Sequence, residues 1–204
     1  MNPAIDLSSS TLPTERLVLR PFLLSDLDDF FAYASVPGVG ESAGWKHHEN
    51  KDESLEILKE FIAERKTFAV TIKEGPLIGS IGIESYKESE FPELAEYKGR
   101  EIGYVIAKDH WGKGICTEGV KAVIAYCFEQ EGYDFLLCAH GDFNVGSRRV
   151  QEKSGFVHYK KFLGRKDDHG SSCDGWYSLI WNPSKPIPQE VQEIWLKNNP
   201  EIQK

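Results

Sequence analysis

A mixed, largely antiparallel α/β sheet is the fold class that this 204-residue sequence predicts, on three observations. Short strand-like runs mostly neighbour one another along the chain, as hairpin-built sheets require. Helical periodicity appears after the first, fourth and fifth of those runs, so helices flank a sheet rather than forming a bundle. The fourth run, residues 102–107, passes through a turn containing Gly112 and Gly114 into a long amphipathic segment.

Each element has a local reason. Leu17, Val18 and Leu19 form a short strand ending at Pro21, and Ser25 caps a helix to about Tyr33, with Asp28 three residues on. Residues 36–45 hold Pro37, Gly38, Gly40 and Gly44 and read as a loop. Asn50 and Glu53 signal a second helix whose apolar face is Leu55, Leu58, Phe61 and Ile62. Phe68, Val70 and Ile72 alternate as a strand, Gly75 and Pro76 turn the chain, and Leu77, Ile81 and Ile83 return. Residues 91–100 read as a polar connection before the fourth strand. Val120, Val123, Ile124, Cys127 and Phe128 then recur at helical spacing until Gly132. Residues 135–139 are a strand, and Asn144 caps a shorter helix that Gly155 stops. Residues 156–163 and 176–181 pair across the polar loop 164–172. Beyond Pro183, the residues Val191, Ile194, Trp195 and Leu196 suggest a small docked helix. The expected organisation is a loose segment 1–13, one domain 14–182, and a tail 183–204 with that helix.

Composition narrows the function. Hydrophobic residues at 40% support a sizeable core, and no apolar run reaches membrane-spanning length. A formal net charge of −8 argues against nucleic acid and favours cationic substrates. Within that acidic chain, residues 148–166 carry seven basic residues against one acid, Glu152, so an anionic ligand beside a cationic one is a fitting pair. Four cysteines without a Cys-x-x-Cys pair, and no secretory apolar region, indicate a reduced, soluble, cytoplasmic protein. Oligomeric state stays open between monomer and homodimer.

The turn itself carries the sharpest chemistry. Gly112 and Gly114 let the backbone curl at the mouth of a helix, where unpaired N–H groups and the helix dipole favour a phosphate. The spacing fits neither a Walker loop nor the triple-glycine dinucleotide fingerprint. What remains is a short pyrophosphate-binding turn.

Residues 111–118, Trp-Gly-Lys-Gly-Ile-Cys-Thr-Glu, resemble motif A of the GNAT acyltransferases, in the branch similar to the ribosomal-protein N-terminal acetyltransferases. Asn144, Ser147, Arg149, Val150, Glu152, Lys153, Gly155 and Phe156 match a second motif of that family, and residues 14–21, Thr-Glu-Arg-Leu-Val-Leu-Arg-Pro, resemble its first strand. The resemblance spans roughly residues 14–182. It implies the GNAT fold, with fourth and fifth strands splayed around the donor's pantetheine arm, and acetyl-CoA as acyl-donor cosubstrate. It also implies a primary-amine acceptor, either a protein N-terminus or a small cationic amine.

The resemblance assigns the donor to Trp111, Gly112, Lys113, Gly114, Ile115, Cys116 and Thr117 at the pyrophosphate and to Tyr104, Val105 and Ile106 along the pantetheine. A strand N–H near Val105 then faces the thioester carbonyl. Lys113 either neutralises phosphate or is a solvated turn residue. Arg148 and Arg149 face different ways on one helix, with Arg149 the choice for the cofactor's phosphate. Asn144 both caps its helix and borders the pantetheine. Glu101, opening the fourth strand, is the candidate general base, with Glu84 the second carboxylate. Family members with a tyrosine acid carry it where this chain has Gln151, which leaves Ser147 as candidate acid and keeps a CoA-binding module with little catalysis as an alternative. A longer acyl chain is a further one. Trp45, with Glu41, shapes the acceptor side, where the loop 164–172 would cover the mouth. Adjacent His47 and His48 lack partners at ligand spacing, so no metal is expected.

Overall fold

In a computed structural model, residues 1–166 and 170–200 are described. In chain order the elements are β1 Leu12–Pro13, β2 Leu17–Pro21, α1 Leu27–Ala34, α2 Val39–Ser42, α3 Lys51–Glu64, β3 Thr67–Ile72 and β4 Leu77–Glu84. Then follow β5 Gly99–Ile106, α4 Ile115–Glu129, β6 Phe135–Gly141, α5 Val145–Ser154, β7 Val157–Lys166, β8 Ser172–Trp181 and α6 Gln189–Asn198. Among the described residues, eight strands make one sheet in the order β1-β2-β3-β4-β5-β6-β8-β7. Every neighbouring pair is antiparallel except β5 and β6. That parallel pair follows from topology, since α4 carries the chain from one strand to the next as a crossover.

The two faces of the sheet are buried differently. On one face, Leu17, Leu19, Phe68, Val70, Ile81 and Ile83 pack beneath Val120 and Val123 of α4 in a continuous core. On the other face the apolar residues form two separate clusters. Phe22, Phe30, Leu58, Ala69, Leu77 and Val105 gather under α1 and α3. Phe91, Phe135, Leu137, Tyr159, Trp181 and Val191 gather under α6. β5 supplies Val105 to the first and β6 supplies Leu137 to the second, so the seam between them runs along the β5–β6 pair.

Several expectations are corrected. Ser25 caps nothing: a 3-10 turn, Leu24–Asp26, precedes α1, and the Asp26 carboxylate accepts from Leu23 N and from both Nη atoms of Arg20. The loop 36–45 contains α2, entered through Gly38 at φ 92°. β5 begins three residues earlier than expected, because Arg100 is buried with partners, donating from Nε to Pro3 O at 2.8 Å and from Nη1 to Ser85 Oγ at 3.2 Å. The hairpin strands run on to Lys166 and back from Ser172. Of the predicted covering loop 164–172, residues 167–169 lie outside the described residues. The segment expected to be loose is tied down: Asn2 Nδ2 donates to Tyr86 O at 2.9 Å, Asn2 Oδ1 accepts from Tyr86 N, and Leu7 is buried. Asn50 caps α3 by accepting from Glu53 N at 2.9 Å, and α6 docks on the body through Val191 while Leu196 stays exposed.

Candidate active site

The β5–β6 ladder holds for only three registered pairs, Gly99 with Phe135, Arg100 with Leu136, and Glu101 with Leu137. Beyond them β5 stays on β4 as far as Ile106, and β6 stays on β8 as far as Gly141. The two strands therefore diverge, and a cavity of about 1020 Å³ occupies the fork and the ground beyond it. Its walls include Glu101 to Ile106, Trp111, the turn around Gly112 and Gly114, the start of α4, His140, and Asn144 to Ser147.

The direction of each backbone amide follows from one bond. Ala107 N donates to Ile78 O at 2.7 Å, toward β4. Antiparallel pairing repeats every second residue, so the N–H of Val105 also points at β4, while those of Tyr104 and Ile106 point into the fork. The amide expected near Val105 thus belongs to its neighbours.

At the far end the chain turns through a 3-10 segment, Lys108–His110, with Gly112 and Gly114 at φ 73° and 74°. Left-handed backbone at both positions favours glycine. No side chain caps α4, so the N–H groups of Ile115, Cys116 and Thr117, in its first turn, have no partner within the helix. The acid of that first turn, Glu118, is occupied elsewhere: it accepts from Thr14 Oγ1, from Arg16 N and from Arg16 Nε at 2.6, 2.8 and 2.6 Å. Arg16 Nη1 reaches Lys113 O at 3.0 Å, which clamps the turn to β2. Lys113 is exposed and its side chain is not part of the cavity wall, whereas the half-exposed Trp111 is, its Nε1 donating to Ile106 O at 2.7 Å.

A polar chain crosses the α5 side. Gln151 is 1% exposed. Its Oε1 can only accept, so His140 Nδ1, 2.9 Å away, carries the proton. Gln151 Nε2 donates to Ala139 O at 3.1 Å and to Ser147 Oγ at 3.3 Å. Ser147 Oγ lies 2.9 Å from the Tyr104 hydroxyl, which also donates to Ser147 O at 3.1 Å. Burial pushes the Tyr104 hydroxyl well above its usual range, so it stays protonated. Asn144 caps α5 by accepting from Ser147 N at 2.9 Å, and its Nδ2 donates to Ser42 O of α2 at 2.8 Å. Arg149 lines the cavity, while Arg148 pairs with Glu152.

Glu101 stands where the ladder ends, pointing to the opposite face from Tyr104. Burial is the largest influence on its carboxyl and raises it to about 7; Arg165 opposes the shift, and Glu84 and Glu90 add to it. Two expected acceptor residues are elsewhere. Glu84 pairs with Lys66 at 2.8 Å, outside the cavity wall. Trp45 packs against Gly40 and the His48 ring, leaving Glu41 to face the cavity. His48 is buried on Ser54 Oγ at 2.7 Å, and among the described residues no cluster of three metal-ligating side chains occurs. Cys116 is held up to about 12 by burial, and burial lifts Cys138 further still, so neither supplies a thiolate.

Sequence reasoning passed over Thr14, Arg16, His140 and Arg165 as working residues. The first two were visible as part of a motif, but their partners lie about a hundred positions away and no periodicity links them.

The comparisons with known proteins agree with this geometry. A family model described as acetyltransferase (GNAT) domain matches residues 16–157. The chain is 29% identical over 152 residues to the uncharacterized N-acetyltransferase YoaA of Bacillus subtilis, covering 71% of this chain and 81% of that one. Its fold is similar to that of a GNAT-family acetyltransferase from Bacillus anthracis, with TM-score 0.74 at 22% identity over 85% of this chain and 99% of that one. It is also similar to ribosomal-protein-S5-alanine acetyltransferase from Vibrio fischeri, with TM-score 0.66 at 19% identity, covering 87% and 100%. The forked sheet and its glycine turn are thus those of a family that uses acetyl-CoA, and this chain belongs to the GNAT acetyltransferases, the acyl-CoA-dependent N-acetyltransferases.

Proposed function

We propose that the protein moves an acetyl group from acetyl-CoA to a primary amine by direct attack within a ternary complex. The interruption of the β5–β6 ladder after Glu101 carries this reading, since it joins a phosphate-binding turn, a row of unpaired amides and a carboxylate in one cavity. Acetyl-CoA supplies an activated thioester, and the residues present fit it.

The N–H groups of residues 112–117 hold its pyrophosphate, with Arg149 near the phosphorylated ribose. The outward amides of Tyr104 and Ile106 pair with the pantetheine as a strand would, and one of them meets the carbonyl oxygen on which negative charge develops. Glu101, on the other face, takes the proton of the acceptor ammonium directly or through one water. An α-amine titrates at about 7.7–8.0 and a lysine-type amine at about 10.4, so a carboxylate that titrates near neutrality serves the first better. Ser147 Oγ accepts from Gln151 and points its own hydrogen at the Tyr104 oxygen; turned toward the departing sulfur, that hydroxyl or the Tyr104 hydroxyl hydrogen-bonds the thiolate, which takes up the second proton shed by the amine nitrogen. Absence of a membrane-spanning helix among the described residues and four free cysteines fit a reducing aqueous compartment.

The test is CoA binding by calorimetry together with thiol release from acetyl-CoA over an amine panel. Gly114→Glu should abolish binding, because the added carboxylate meets the pyrophosphate seat at a left-handed position. Retained CoA affinity in that variant would remove the turn from the reading.

A further inference from the structure

The walls of the acceptor side carry opposite charges. On the α2 wall, Glu41 faces the cavity as a fixed anion: His47 Nδ1 at 2.7 Å and Gly38 N at 2.7 Å hold its carboxyl down to about 2. On the β7 wall stand Arg165 and Lys166. Arg165 is the better placed of the two. Its guanidinium lies 5.6 Å from the Phe162 ring centre and 5.4 Å from that of Tyr177, and its Nη1 donates to the Tyr177 hydroxyl at 3.1 Å. Two rings and one hydrogen bond restrict a side chain that is otherwise rich in rotamers, so little entropy is left to lose when it meets an anion. Glu101 lies on the floor between these walls, close enough to feel the Arg165 charge.

A polyamine or a plain alkylamine would leave Arg165 and Lys166 facing a second positive charge. An amine that also carries a carboxylate matches both walls: ammonium toward Glu41 and Glu101, carboxylate toward Arg165 with the planar fork that guanidinium offers. Resting on the transferase reading above, we propose that the acceptor is a small zwitterionic amine of amino-acid type, whose carboxylate is read by Arg165. This narrows the expectation of a cationic substrate drawn from net charge, because the charge of the whole chain and that of its pocket differ.

The experiment compares matched pairs. The twenty protein amino acids, their carboxamides and spermidine are each offered with acetyl-CoA, and free thiol is followed. At least one free amino acid should exceed its own carboxamide tenfold or more in kcat/KM. Arg165→Gln should bring that ratio toward one, chiefly through KM, with Arg165→Lys recovering part of it, while calorimetric CoA affinity reports an intact donor site. Equal use of acid and carboxamide, or spermidine as the better acceptor, overturns the proposal while leaving the transferase reading standing. A uniform loss for acid and carboxamide in Arg165→Gln also overturns it, since Arg165 would then act only on Glu101. No thiol release with any acceptor, CoA still binding, overturns both.

Discussion

Glu101 shows how one carboxylate acquires its character from position. Its strand neighbour across the ladder is Glu84, yet their surroundings differ: Glu84 has Lys66 beside it, and Glu101 has a partly closed cavity. Because the folded carboxyl is raised to about 7, the folded state holds a proton that the unfolded chain has already lost. The associated stability is complete below the unfolded value of about 4.3 and disappears as pH climbs through 7. Glu101→Gln should therefore gain thermal stability relative to the parent at pH 8 and not at pH 4, as scanning calorimetry at both would read. The same substitution should lower kcat on the order of 10²-fold and flatten the acid limb of kcat/KM near pH 7. A parent enzyme whose kcat/KM is flat between pH 6 and 8 would contradict the base role. Its place in the strand beside Ile102, Gly103 and Tyr104 was legible from the sequence, although it is the third residue of β5 and not the first. Its titration was not, because burial depends on β7 and β8, which begin at Val157 and Ser172, far downstream.

At the scale of elements, what the sequence made legible divides by range. Helix α3 was readable from its apolar spacing and its cap, α4 from apolar spacing alone, and α5 from its cap and the glycine that ends it; Asn50 and Asn144 do accept from the third residue on, as local rules require. The entry to α1 was misread because Asp26, the stronger acceptor, is drawn to Arg20 and Leu23 N. The start of β5 was misread because a buried arginine looks like loop composition until its carbonyl partners are known. Asn144 also does what no local pattern announces, bridging α5 to Ser42 at the end of α2. Asn144→Ala should cost about 1–2 kcal/mol in denaturant unfolding, from the lost cap and the stranded carbonyl. It should also raise the acceptor KM, since α2 carries Glu41; an unchanged KM would separate α2 from the acceptor wall.

Across the whole molecule, a sheet stitched at its middle by three residue pairs amounts to two panels sharing a short seam, with the open end of the slit pointing at the mouth of α4. The N-terminal panel is itself braced from outside, since Asn2 and Leu7 fasten the leading segment across it. An extended molecule entering the slit completes the missing rungs, so a ligand here acts as a temporary ninth strand and welds the panels into one continuous surface. Amide exchange at Tyr104 and Ile106, whose hydrogens face the slit, should then slow when CoA is added, while exchange at Val105, already bonded to β4, should barely respond. The bound molecule would be mortar as much as reagent.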